Sequence, residues 1–400
     1  MNLDGIRVLD LSRLLPGPYA TQLLAEMGAE VIRIERPGDA QSGPTLESIN
    51  RGKRRVALNL KTEGGREAFL DLAATADVVL EQFRPGVVDR LGVDYDAVRE
   101  VNPGIVYCSL SGYGQTGPYS DRVGHDLNYI GLAGLLDMTR QSEDETPRVP
   151  GYQVADIGGG LFAALSIVGA LLSRELGAGN QNRNGVGDQA DVDNDATGEY
   201  IDVSLTDAAV SFSQAVAPRA LAGGDPRPGE TPLTGQFPWY DVYPAAEGYV
   251  TLAALEPHFW HAFCEAVDHE EWIEYHMTSD PAELETLREA LESLFKTRTR
   301  DEWVSFFEGV DAAVGGVYTP AEMVEHPQIV ARGYVAGGAA VGEGEPPPPV
   351  VGFPARGTDI DHDGPTAVAE HGDDTESVLQ ESGYEEDALE QLRASGAIPE

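Results

Sequence analysis

Cysteine is nearly absent: the 400-residue chain holds two, Cys108 and Cys264, each in an apolar context with no CxxC or metal-type neighbour. That excludes a disulfide framework and reads as two reduced, buried thiols of a cytoplasmic protein. Lysine is limited to Lys53, Lys61 and Lys296, and positive charge as a whole is short, with 27 Lys plus Arg against 67 Asp plus Glu, a net charge of −40. A phosphate backbone needs a basic footprint, so nucleic-acid binding is not expected. No apolar run reaches the length of a membrane span; LFAALSIVGALL (161–172) is only twelve residues, a buried-helix length, and no membrane partner is expected. The stretch MNLDGIRVLDLS has no basic region followed by an apolar core, so no secretory signal is visible. GxGxxG, Walker and GxSxG patterns are missing, and His258 and His261 have no third ligand at suitable spacing, so no metal site is expected.

What the chain does have is 42% hydrophobic residues in regular amphipathic segments, which argues for a packed core in spite of the charge. A length of 400 residues is too great for one small core, and two domains are expected. Acidic self-repulsion shrinks to a range of a few ångströms at about molar salt. The charge therefore speaks of solubility in a salt-rich, halophilic cytoplasm and not of a reaction.

The first third of the chain alternates strand and helix patterns. IRVLDLS, AEVIRIE, DVVLEQF and GIVYCSLSGYG read as strands, separated by PGPYATQLLAEMG, GGREAFLDLAATA and VDRLGVDYDAVREVNP as helices. Such alternation implies a parallel sheet covered on both faces. DIGGGLFAALSIVGALLSREL (156–176) predicts a long apolar helix with glycines at its start, and IDVSLTDAAVSFSQAVA (201–217) a strand running into a helix. The Gly- and Asn-rich stretch 177–199 reads as a mobile surface loop. The expected architecture is an α/β large domain over 1–217, completed by 341–400, and a smaller α+β domain over 240–325 that opens with a hairpin in YDVYPAAEGYVTLAAL. Segments 218–239 and 326–340 link them, and GEGEPPPPV (342–350) fits neither helix nor sheet interior.

Three polar islands open apolar segments. In GHDLNYIGLAGLL (124–136), His125 is either a histidine satisfied by Asp126 or a titrating group at the mouth of a site. In VADIGGGLFAAL, Asp156 is either a helix N-cap or a carboxylate beside an oxyanion site, with Gly158, Gly159 and Gly160 letting a ligand approach exposed helix N–H groups. In ALEPHFW (254–260), Glu256 is either a capping carboxylate or the partner that orients and charges a histidine.

LDGIRVLDLSRLLPGPYATQLLAEMGAEVIRIERPGD, NRGKRRVALNLK, DVVLEQFRPGVVDRLGVDYDAVREVNPGIVYCSLSGYGQTGPYSDRVGHDLNY and VADIGGG resemble the class III (CaiB/BaiF) CoA-transferase family, in order and over nearly the whole chain. DAAVGGVYTPAEMVEHPQIVARGYV and the tail DDTESVLQESGYEEDALEQLRASGAI resemble it too. The resemblance implies a Rossmann-like large domain, a small domain and an interlocked homodimer with a shared CoA site. Two chemistries follow from it. In the transferase branch, the aspartate matching Asp156 attacks a CoA thioester and forms an aspartyl-CoA intermediate. The α-methylacyl-CoA racemase branch is more similar at GHDLNYIG, where transferases commonly have a motif like GYDLVAQA, and its glutamate matching Glu256 pairs with the histidine matching His125. The resemblance thus favours a cofactor-free racemase that takes CoA only as part of its acyl-CoA substrate. His125, Asp156 and Glu256 would be catalytic. Arg36, Lys61, Arg84 and Arg90, near the ends of successive strands, would contact the coenzyme, while Arg51, Arg54 and Arg55 fit ordinary surface salt bridges.

Overall fold

The structure is a computed structural model that describes residues 2–38, 47–183, 198–336, 350–355 and 367–400. The core of the expected loop 177–199, most of GEGEPPPPV and part of the return segment 326–340 lie outside the described residues. The chain forms two compact units, one of 1–133, 152–212 and 330–400, the other of 134–151 and 213–329. The second unit thus takes in 134–151, which the sequence reading placed inside 1–217, as well as 218–239.

The first unit is built on a six-stranded sheet of β1 (Arg7–Leu11), β2 (Glu30–Glu35), β3 (Arg54–Ala57), β4 (Val78–Glu81), β5 (Val106–Ser111) and β6 (Glu199–Ser204). Its order is β3-β2-β1-β4-β5-β6, and every pair is parallel. The near-continuous apolar runs follow from burial on both faces: Leu9, Ile32, Val56 and Val79 have no exposed surface. The strand order reverses between β1 and β4, and open α/β sheets bind ligands at the carboxyl ends beside such a switch point.

Local chemistry explains two departures from the expected elements. VDRLGVDYDAVREVNP forms two short helices, Val87–Leu91 and Tyr95–Val101, because Gly92 turns with φ +69° and Asp94 starts the second by accepting from the N–H groups of Asp96 and Ala97. The long apolar helix runs Val154–Arg183, so it starts before Asp156 and continues into the segment expected as loop. Its stretch Val154–Gly177 is long and apolar enough to cross a membrane, although half of it is buried inside the protein. Adding up the helix rather than its uninterrupted run accounts for the difference from the twelve-residue count. Ile157, Leu161, Leu165, Leu172 and Leu176 form an exposed apolar stripe along it, each at least 37% exposed.

The C-terminal segment completes this unit. Edge strand β3 would expose unpaired N–H groups, but Asp374 Oδ2 accepts from Arg55 N–H at 2.8 Å and Thr375 Oγ1 from Ala57 N–H at 2.9 Å. Val378, Leu379, Leu389, Leu392 and Ile398 enter the same core as the sheet. The covering also corrects the surface role expected for Arg51 and Arg55, both of which are buried; Arg54 alone reaches the surface, paired with Glu30 and Glu381. Arg55 holds Glu35 with two hydrogen bonds, at 3.0 and 2.8 Å. Lys53, wholly buried, donates to Asp10 at 3.1 Å and Thr21 at 2.7 Å, and burial pulls its ammonium down to about 8 against the attraction of Asp10. Buried charges survive only when paired in this way.

The second unit has an antiparallel sheet of β7 (Tyr240–Pro244), β8 (Tyr249–Ala253) and β9 (Val314–Gly316), in the order β7-β8-β9. The first two strands are the expected hairpin. Trp239, Trp260, Phe263, Phe295 and Trp303 fill its core, which is α+β in construction.

Candidate active site

His125 stands in extended conformation (φ −128°, ψ 173°) just before the short helix Asp126–Leu132. Its backbone N–H donates to Asn128 Oδ1 at 3.0 Å, so the third helical residue reaches back to fix the corner. Tyr129 anchors the same corner, its hydroxyl donating to the Gly124 carbonyl at 2.6 Å. A Cβ at Gly112 or Gly124 would fall 2.6 or 2.7 Å from the Tyr129 ring, which is why both positions are glycine. The imidazole of His125 stays exposed.

Asp126 joins this corner to the long helix. Its Oδ1 accepts from the N–H groups of Ala155 at 2.7 Å and Asp156 at 3.1 Å. The expected N-cap role of Asp156 is therefore corrected: Asp156 lies in the first turn of the helix, and Asp126 caps that turn from the neighbouring helix. The bonds also pin Asp156 beside the residue that follows His125. Asp156 is half-buried, and burial, then the charge of Asp126, pushes its carboxyl up to about 6, while His125 pulls the other way. A carboxyl that titrates close to neutral pH can both take and return a proton.

The three glycines do not serve as expected. Gly158, Gly159 and Gly160 lie inside the helix, and Cβ atoms there would come 2.7 Å from Phe212, 2.2 Å from Leu205 and 2.4 Å from the Pro16 carbonyl oxygen. They admit neighbouring protein rather than ligand. With two first-turn N–H groups already donated to Asp126, these glycines form no oxyanion site.

Glu256 belongs to the second unit. It precedes the helix Pro257–Ala266, and its backbone carbonyl accepts from Phe259 and Trp260 N–H. Its exposed side chain makes no capping hydrogen bond, so the capping alternative does not hold.

Of the expected coenzyme contacts, Arg36 and Lys61 come together in a pocket of about 250 Å³ that includes Leu11, Ile34, Leu58 and Phe83, at the carboxyl ends of β1 to β4. Lys61 and Arg90 share an adjoining hollow. Arg84 lines neither; it follows β4 and acts electrostatically on Tyr129, whose hydroxyl burial and Asp156 push up to about 12. His371, from the C-terminal segment, donates through Nε2 to the Arg36 carbonyl at 3.1 Å. Sequence reasoning missed the linking role of Asp126 and the anchoring role of Tyr129; only the Asn three residues after His125 signalled a built corner. Among the described residues no group of His, Cys, Asp or Glu is arranged to hold a metal ion.

A pocket lined by Arg36 and Lys61 thus lies at the switch point of the parallel sheet, and in the same unit one carboxylate ties the corner that carries His125 to the first turn that carries Asp156. The chain belongs to CoA-transferase family III, whose sequence model matches residues 3–375. It is 31% identical to the alpha-methylacyl-CoA racemase of Homo sapiens over 403 residues, covering 100% of this chain and 98% of that one. It is 30% identical to the succinyl-CoA:glutarate CoA-transferase of Mus musculus, covering 99% of this chain and 90% of that one. Among solved structures, a CaiB/BaiF family protein from Brucella suis superposes with a TM-score of 0.76 at 28% identity, covering 95% of this chain and 99% of that one.

Proposed function

We propose that the protein racemises 2-methylacyl-CoA thioesters by moving the α-proton through an enolate. The observation that supports this reading is the Asp126 bridge, which ties the corner that carries His125 to the first turn that carries Asp156, together with an Asp156 carboxyl raised to about 6. One of the pair removes the weakly acidic α-proton and the other returns a proton to the opposite face; the roles exchange with the handedness of the substrate. Glu256 is the third catalytic residue of this reading. Arg36, Lys61, Arg84 and Arg90 hold the coenzyme part, and no further cofactor takes part. The enolate oxygen draws on donors other than Gly158–Gly160. The working form is an interlocked homodimer in a salt-rich cytoplasm, with the exposed stripe Ile157–Leu176 covered by the second copy; sedimentation showing a single chain at working concentration would remove that part.

Incubation of one enantiomer of a 2-methylacyl-CoA in heavy water tests the chemistry. The expected result is α-deuterium uptake and loss of optical purity without any added acid, slowed about 10²- to 10⁴-fold in His125→Ala. Transfer of CoA to an added free acid, with Asp156 trapped as an acyl or CoA adduct and no α-exchange, would instead establish the transferase chemistry.

A further inference from the structure

Tyr113 stands two residues beyond the end of β5, in the same unit as His125 and Asp156. The chain around it is held on both sides. The Gly112 carbonyl accepts from Thr206 N–H at 3.1 Å and from its Oγ1 at 2.8 Å, and the Gln115 N–H donates to both carboxylate oxygens of Asp202, at 3.2 and 3.0 Å. The Tyr113 ring packs edge-on against Tyr119 and Tyr129, with centroids 5.5 and 5.1 Å apart. Its hydroxyl comes 3.0 Å from where a Cβ at Gly124 would stand, so it lies against the residue that precedes His125. Tyr129 connects this tyrosine to the carboxyl, since both Tyr113 and Asp156 act electrostatically on the Tyr129 hydroxyl.

The two hydroxyls at this corner differ in what they bind. That of Tyr129 is committed to the Gly124 carbonyl, whereas that of the half-buried Tyr113 makes no hydrogen bond among the described residues. A donor fixed by its backbone and its ring packing, yet without a protein partner, can meet a developing negative charge with no reorganisation. We infer that Tyr113 is a further catalytic residue, whose hydroxyl donates a hydrogen bond to the thioester carbonyl oxygen as charge gathers there. This rests on the acyl-CoA reading above but not on which chemistry follows. Removal of the α-proton by a base turns the C–H electron pair into a C=C bond and moves the carbonyl π pair onto oxygen. Attack by an Asp156 oxygen forms a C–O bond to the carbonyl carbon and moves the same pair onto the same oxygen.

Initial rates of α-deuterium uptake by a 2-methylacyl-CoA in heavy water, measured across substrate concentration for the wild type, Y113F and Y119F, test the assignment. Y113F should lose about 10²-fold or more in kcat with KM little changed, because the bond strengthens only as the charge forms. Its melting point and its calorimetric binding of CoA should match the wild type, since deleting a hydroxyl without a protein partner leaves no group unpaired. Y119F, whose ring packs on Tyr113, should keep the wild-type rate. A full rate in Y113F, a loss confined to KM, an equal loss in Y119F, or a lower melting point with lost CoA binding would overturn the role of Tyr113 and leave the acyl-CoA reading intact. If the wild type transfers CoA to an added acid without α-exchange, the same kcat comparison in that reaction supports or overturns the role in the same way. A wild type inert in both reactions would remove the acyl-CoA reading, and the role of Tyr113 with it.

Discussion

Asp126 is the residue on which the geometry of the site turns, because one carboxylate oxygen ties two helix starts together and its charge raises a neighbouring acid. Asp126→Asn keeps an oxygen that can accept the Ala155 and Asp156 N–H groups but deletes the charge. The Asp156 carboxyl, freed of one like-charge neighbour, should ionise at lower pH. The acid limb of the pH–rate profile, expected near 6 in the direction that uses Asp156 as base, should then move to lower pH; a limb that stays in place would show that Asp156 does not govern it. The linkage to stability has the opposite sense from an ordinary ion pair. Because the folded carboxyl titrates above its usual value, it costs stability as pH rises from about 4 through 6. Asp156→Asn should therefore melt higher than the parent above pH 6 and match it near pH 4, as calorimetry can check. The two helix starts that carry His125 and Asp156 were legible in the sequence because ionisable groups open apolar segments there. The bridge was not, since a hydrogen bond from Asp126 to residues some thirty positions away leaves no local signature.

Elements, by contrast, are read through what they exclude. The glycine triplet at the start of the helix Val154–Arg183 reads as space for a ligand in the sequence, and in the fold it is space for protein. Of the three, Gly160 is the least forgiving, since a Cβ would meet the Pro16 carbonyl oxygen at 2.4 Å, a backbone atom that cannot swing away. Gly160→Ala should cost about 1–3 kcal/mol in denaturant unfolding. An unchanged midpoint would mean that the helix starting at Pro16 is free to shift. Strands β1, β2, β4, β5 and β6 were legible because period and punctuation agree, as in AEVIRIE just after the helix that stops at Gly28, whereas the short strand β3 within NRGKRRVALNLK was not read. The split of VDRLGVDYDAVREVNP was missed because its apolar spacing continues across Gly92, although the glycine and Asp94 together carry the stop and start signals.

At the scale of the whole molecule the net charge of −40 is spread over an interior that still buries Asp10, Lys53, Arg33, Glu35 and Arg55 as a paired network. The interior pairs are shielded from bulk ions, while the surface acids feel them fully. Raising salt from about 0.05 to about 1 M should therefore raise the thermal midpoint, most steeply at the low end where the Debye length shrinks fastest. A midpoint that falls with salt would mean that attractive surface pairs outweigh repulsion. The parallel sheet was legible from composition and alternation; the burial of Arg55 within NRGKRR was not, because it depends on a covering segment more than 300 residues later.

That covering segment has a bearing on how the chain comes into being. Residues 372–398 close the edge of β3 and fill part of the first unit's interior, so a nascent chain leaving the ribosome carries its outer strand bare until that segment emerges. Most of the second unit is translated earlier and as one run, 213–329, and can settle first. The pocket lined by Arg36 and Asn59 takes its shape from segments tied to His371 and Ala397, so it depends on that covering being in place.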